Sequence, residues 1–276
     1  MRLGQVAAIT LYALPIAASS SVEDTGNKSI PWHPILREGV RHMERILVIG
    51  GARALGAAVA RRAAKDGYDV VVGARDLAAA DVLAREIGAT AVRVDLQDES
   101  TLEAAAEALK EGVDHIVTTG SAPHDVRATE LDRDKLLAAF TAKVVGPMLV
   151  AKHFASVLRP TGSMVLFSGV VGWRPGPGSL VKGVTNGAVE YAARHLAADL
   201  APVRVNAVSP GVVDSGAWDR LGDNKAGLLS KSAAGTFVGR HGETDDVVDT
   251  VMWLLRAGFV SGETIHIEGG ARHKSA

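Results

Sequence analysis

No cysteine occurs anywhere in the 276 residues. That single absence excludes a disulfide scaffold, a thiolate metal site and a cysteine nucleophile. Aromatic residues are scarce, at 4%, which disfavours an aromatic-rich binding sheet. An excess of one charge is missing too. Thirty basic side chains against 31 acidic ones give a formal net charge of −1, so no global field draws the chain to nucleic acid or to an anionic membrane. The N-terminal apolar stretch over residues 6–18 is too short to span a bilayer. No His, Asp or Glu cluster has metal-ligand spacing, and the Ser209-Pro210-Gly211 turn lacks the glycine-flanked serine of a nucleophile elbow. What the chain does have is glycine, 30 residues of it, and 47% apolar residues. That composition suits a large α/β domain with tight strand-to-helix turns.

Residues 1–42 read apart from the rest. Arg2, the apolar stretch and Ser19-Ser20-Ser21 have the outline of a secretory signal peptide. The alternative is an upstream extension with a later start at Met43. From residue 44 onward strands and helices alternate. Strands are expected at 45–49, 69–72, 91–94, 113–117, 163–167, 203–208 and 264–267. Helices are expected at 57–65, 77–87, 102–109, 133–158, 180–200 and 245–255. This alternation predicts an α/β fold: a single doubly wound, Rossmann-like parallel sheet of about seven strands with helices on both faces. No linker divides 43–276.

The first strand runs into Gly50-Gly51-Ala52-Arg53-Ala54-Leu55-Gly56 and then a helix. Such a turn aims backbone N–H groups and the positive end of the helix at a pyrophosphate. The second strand ends in Val72-Gly73-Ala74-Arg75. An acid in that place would accept bonds from the ribose 2′-OH of NAD; Arg75, with Arg53 in the turn, instead suits a 2′-phosphate. The expected cofactor is therefore NADP(H), in preference to NAD.

These motifs together make the chain resemble the short-chain dehydrogenase/reductase family over residues 44–270. Gly50 and Gly56 keep the family's glycine turn, with Ala54 in the place of its middle glycine. Val94-Asp95-Leu96 resembles the segment that contacts adenine, and Asn206-Ala207-Val208-Ser209-Pro210-Gly211 the run after the sixth strand. The resemblance implies cofactor contacts from Gly50, Arg53, Ala54, Leu55, Gly56, Arg75, Asp95, Leu96, Thr119, Gly120, Pro210, Gly211, Val213 and Ser215. It also implies a small-molecule substrate, a homodimer or homotetramer packed through helices 133–158 and 180–200, and a cytoplasmic location. A genuine signal peptide would make the location secreted or periplasmic.

The family's catalytic side chains are Asn, Ser, Tyr and Lys, and all four places differ here. Lys143 stands for the Asn, Gly169 for the Ser (beside Ser168), Lys182 for the Tyr and Asn186 for the Lys. Tyr191 lies too far along its helix to substitute. Two ammonium groups in one cleft repel, so one of Lys182 and Lys143 should have a lowered pKa. The candidate catalytic set is Lys182, Lys143, Ser168 and Asn186, with Asn186 on the nicotinamide ribose. His124 is expected at the surface, or as a proton relay. Trp173 and Trp218 should flank a substrate opening beneath a lid over 214–238, with bending points at Gly216, Gly222, Gly227 and Gly235. Three readings follow: an oxidoreductase with a non-standard acid, a non-catalytic NADP(H)-binding sensor or partner subunit, and a lysine-based enzyme without redox chemistry.

Overall fold

A computed structural model describes residues 43–274; the leader expected over 1–42 lies outside the described residues. In chain order, β1 (Arg45–Ile49), α1 (Ala54–Lys65), β2 (Asp69–Ala74), α2 (Leu77–Ile87) and β3 (Thr90–Arg93) form the first half. Next come α3 (Glu99–Ala108), β4 (Val113–Thr118), α4 (Arg133–Phe140) and α5 (Gly146–Phe154). These last two are joined by one π-helical stretch, Thr141–Val145. The second half has β5 (Leu158–Phe167), α6 (Leu180–Asp199), β6 (Arg204–Pro210), β7 (Val213–Asp214), α7 (Asn224–Ala234), β8 (Gly242–Glu243), α8 (Thr244–Arg256) and β9 (Thr264–Ile267).

Seven strands form one sheet in the order β3-β2-β1-β4-β5-β6-β9, parallel throughout. Apolar residues on both sides of each strand explain this. Leu47 and Ile49 enter one core layer while Ile46 and Val48 enter the other, as the two-residue period of a strand requires. Strand order reverses between β1 and β4, so their C-terminal ends open a crevice there.

Three helix starts are fixed by carboxylates. Asp76, Asp98 and Asp132 accept backbone N–H bonds at the first turns of α2, α3 and α4, at 3.2, 3.2 and 2.9 Å. On β6, the buried Arg204 donates to the carbonyls of Leu254, Leu255 and Ala257 and so caps the end of α8. Asn206 donates to the Val260 carbonyl and accepts from the Glu263 N–H. The run from Asn206 to Pro210 lies within β6 rather than after it, and its Asn serves the architecture.

Two expectations are corrected. The helix expected to reach residue 158 ends at Phe154, because Leu158 already pairs with Val113 in the sheet. Within the lid expected over 214–238, residues Asn224–Ala234 form α7, so Gly227 lies inside a helix rather than at a bending point. Arg133–Phe154 is long and apolar enough to cross a membrane by length and composition. Its Ala139, Ala142, Val150, Ala151 and Phe154 are buried against the body while Leu137, Val145 and Met148 are exposed, so one face of the stretch packs inward and the other does not.

At the foot of β4, His115 is buried, with Nδ1 2.9 Å from Ser163 Oγ and Nε2 3.5 Å from Glu44. Burial lowers its pKa, against opposing attraction from Glu44. The unfolded chain therefore binds the proton more readily than the folded one, and stability is lost as pH falls below about 6.5. The expected dependence is at most ~1.4 kcal/mol per pH unit from this one group. His115→Gln should flatten the fall in melting temperature between about pH 6.5 and 5, whatever it does to the level at pH 8.

Candidate active site

The crevice holds two adjoining cavities of about 340 and 320 Å³, which share Ser121. Gly50, Arg53, Arg75, Asp95, Leu96 and Gly120 line the first. Leu55, Thr119, Lys143, Ser168, Lys182, Asn186, Pro210, Gly211 and Trp218 line the second.

The glycine turn is built for close approach. Gly50 has φ +79°, and a Cβ there would lie 2.5 Å from Thr119 Oγ1. A Cβ on Gly56 would sit 2.2 Å from the Gly50 carbonyl oxygen. Thr119 Oγ1 in turn donates to the carbonyls of Ile49 and Gly50 and pins the turn to β4. At the start of α1 no side chain caps the helix and no acid stands in its first turn. Its N–H groups are therefore left for an external acceptor. The exposed Arg53 and Arg75 stand at the same mouth. Asp76, beside Arg75, is occupied as the cap of α2. This set of donors fits a dinucleotide pyrophosphate with a further phosphate near Arg75.

Ala54, in the place of the family's middle glycine, has φ +46°. A left-handed non-glycine residue costs about 1–2 kcal/mol, more than the ~0.5–1 kcal/mol of extra chain entropy that glycine loses on folding. Ala54→Gly should therefore stabilise the protein by up to about 1 kcal/mol, read as a raised denaturant midpoint with unchanged slope.

Both lysines reach the second cavity. Lys182 Nζ is 2.5 Å from Asp125 Oδ2, on the loop after β4. Lys143 sits in the π-helical stretch, an element that recurs at functional sites. Its Nζ has a long contact, 3.5 Å, to the Ser168 carbonyl. Among the described residues it has no carboxylate partner. Burial, with the Lys182 ammonium adding to it, pushes its pKa down to about 8. Asn186 lines this cavity and its Nδ2 donates to the Gly169 carbonyl at 3.1 Å, while its Oδ1 has no hydrogen-bond partner among the described residues.

Other expected residues are placed differently. The Ser168 hydroxyl is spent on Glu190 Oε1 at 2.8 Å and on the Asn186 carbonyl at 3.1 Å. Glu190 also accepts from Trp173 Nε1. His124 is buried, and its Nε2 accepts the Asp132 N–H at 3.1 Å, so it is not a surface residue. The Val213 side chain is buried in the core, and Val212 lines the cavity instead. Ser215 lines neither cavity of the crevice. Trp218 donates from Nε1 to the Val213 carbonyl at 3.0 Å and packs the lid onto the body. Asp125 and Glu190 were missed in the sequence. They meet Lys182 and Ser168 from 57 and 22 residues away, and no local pattern marks such pairings.

Comparison with known proteins agrees with this architecture. A family profile described as enoyl-(acyl carrier protein) reductase matches residues 50–272. An uncharacterised oxidoreductase of Methylorubrum extorquens is 32% identical over 240 residues, covering 82% of this chain and 96% of that one. A human 3-oxoacyl-[acyl-carrier-protein] reductase is 28% identical over 232 residues, covering 81% and 95%. Among solved structures, BdcA in complex with NADPH is 29% identical with a TM-score of 0.74, covering 82% and 93%. With its glycine turn, seven-stranded parallel sheet and these matches along most of its described length, the chain belongs to the short-chain dehydrogenase/reductase family.

Proposed function

We propose that the protein is an NADP(H)-dependent oxidoreductase that interconverts a carbonyl and an alcohol, using lysine in place of the family's phenol. The observation that carries this reading is one continuous crevice. It has Arg53, Arg75 and an uncapped helix start at one end, and Lys182 and Lys143 at the other. The NADPH held by BdcA and the oxoacyl substrate named for the human relative support it.

Gly50, Gly56 and the first N–H groups of α1 would hold the pyrophosphate, Arg53 and Arg75 the 2′-phosphate, and Asp95 and Leu96 the adenosine. The Oδ1 of Asn186 would accept from the nicotinamide ribose. Bound there, NADPH would supply the hydride that the carbonyl carbon takes up. Lys182, oriented by Asp125, donates a proton to the carbonyl oxygen. Lys143, protonated below about pH 8, keeps the cavity positive as charge builds on that oxygen. The direct test is NADPH consumption over a panel of aldehydes and ketones at pH 7. Steady consumption supports the reading; binding of NADPH without turnover favours the sensor or partner-subunit reading. One observation speaks for that second reading: Ser168 and the Asn186 amide are already spent within the protein.

Exposed Leu137, Val145 and Met148 on the 133–154 stretch, with Leu180 and Val184 on α6, suit a homodimer or homotetramer packed through these helices. The cytoplasm, where NADPH is found, is the fitting location.

A further inference from the structure

We infer that Lys143 captures small aldehydes and ketones as imines, an activity of the same crevice that needs no dinucleotide. The geometry is that of a nucleophilic amine rather than a structural cation. The ammonium ends in a cavity of about 320 Å³ whose walls include Leu55, Ala139, Phe167 and Val181. Its polar contact is one carbonyl at 3.5 Å, and among the described residues no carboxylate balances it. A buried ammonium so poorly paired is easily neutralised. With a pKa of about 8, roughly one Lys143 in four is a free amine at pH 7.5. The charged and titratable groups that line the cavity with it are Lys182 on α6 and His124 on the loop after β4, and Asp125 on the same loop pairs with Lys182. His124 is committed to Asp132, so the working neighbour is the Lys182–Asp125 pair.

The step balances within the protein. The Lys143 nitrogen lone pair attacks the carbonyl carbon, and the C=O electron pair moves to oxygen. A proton passes from that nitrogen to the oxygen, giving a carbinolamine. The Lys182 ammonium then protonates the hydroxyl, which leaves as water while the nitrogen lone pair closes the C=N bond. Lys182 regains its proton from solvent. The sum is amine plus carbonyl plus proton giving iminium plus water, with nothing oxidised or reduced. The cavity's apolar walls (Leu55, Ala139, Phe167 and Val181) select carbonyl compounds with a small apolar body.

The test uses the full chain with no dinucleotide added. It is incubated with benzaldehyde and sodium cyanoborohydride, which fixes an imine as a benzylamine, and is then analysed by intact mass and peptide mapping. One benzyl group per chain should appear on Lys143, roughly ten-fold or more faster than on any other lysine. The rate should rise with pH through a midpoint near 8. Lys143→Met should abolish the fast labelling, and Lys182→Met should keep it on Lys143 but slow it. Even labelling over the surface lysines, fast labelling elsewhere, or a midpoint near the ordinary lysine value of 10.5 would overturn the inference. Because no NADPH is present, such a result leaves the oxidoreductase reading standing, and a failed NADPH assay leaves this one standing.

Discussion

Lys182→Met should lower kcat/KM for NADPH-driven carbonyl reduction by about 10²–10⁴-fold, the usual worth of a positioned acid. NADPH affinity should stay within a few-fold, because Lys182 lines the cavity away from Arg53, Arg75 and the glycine turn. The fold should survive as well. Lys182 and Asp125 are each about one-third exposed (36% and 37%), so solvent can take up the orphaned carboxylate, and a pair this exposed contributes little to stability. The variant thus separates proton transfer from binding in steady-state kinetics paired with a dinucleotide titration. The wild-type pH profile adds a second constraint. Lys143 must stay charged to support the reduction, so the rate should decline as pH rises through about 8. Imine trapping on the same residue should rise over the same range. Full turnover in Lys182→Met would remove Lys182 from the mechanism.

The second large effect concerns cofactor choice. Arg75→Ala should weaken NADPH binding about 10–100-fold and leave NADH nearly unchanged, with Arg53→Ala/Arg75→Ala weaker still. The reason is local: a guanidinium meets a phosphate with two charge-assisted bonds, and NADH has no 2′-phosphate to meet. Both arginines are exposed, so NADPH affinity should also fall with added salt more steeply than NADH affinity. Asp76 does not reverse this preference, since its carboxylate is bound to the Ala79 N–H at the start of α2. Calorimetric titration of both dinucleotides checks the pair. Equal losses for NADPH and NADH would point to a damaged turn rather than a lost phosphate contact.

Where local chemistry decides, the sequence was legible. The boundaries of β1, α2 and β9 follow from apolar runs that end at glycine, at Asp76 or at Gly88. The phosphate turn could be read because glycine is required there, as the close approaches at Gly50 and Gly56 show. β5 was read five residues too late. Its entry, Arg159-Pro160-Thr161-Gly162, has turn chemistry, yet the strand already pairs at Leu158. The start of α3 was missed because its first turn is polar and held by Asp98 rather than by apolar spacing. The π-helical stretch around Lys143 has no periodic mark in the sequence.

At the site, the sequence pointed to Lys143, Ser168, Lys182 and Asn186, and all four line one cavity. The lowered pKa of Lys143 comes first from its burial, with the Lys182 charge adding to it, and burial of that side chain follows from packing, not from spacing. Burial of His124 and of the Val213 side chain depends on long-range packing, which no spacing rule reaches.

The most direct measurement is the equilibrium titration of the wild-type protein with NADPH and with NADH, read by nicotinamide fluorescence at low salt. The account predicts saturable binding of one NADPH per chain, at least about ten-fold tighter than NADH. No binding of either dinucleotide, or equal affinity for both, would contradict it.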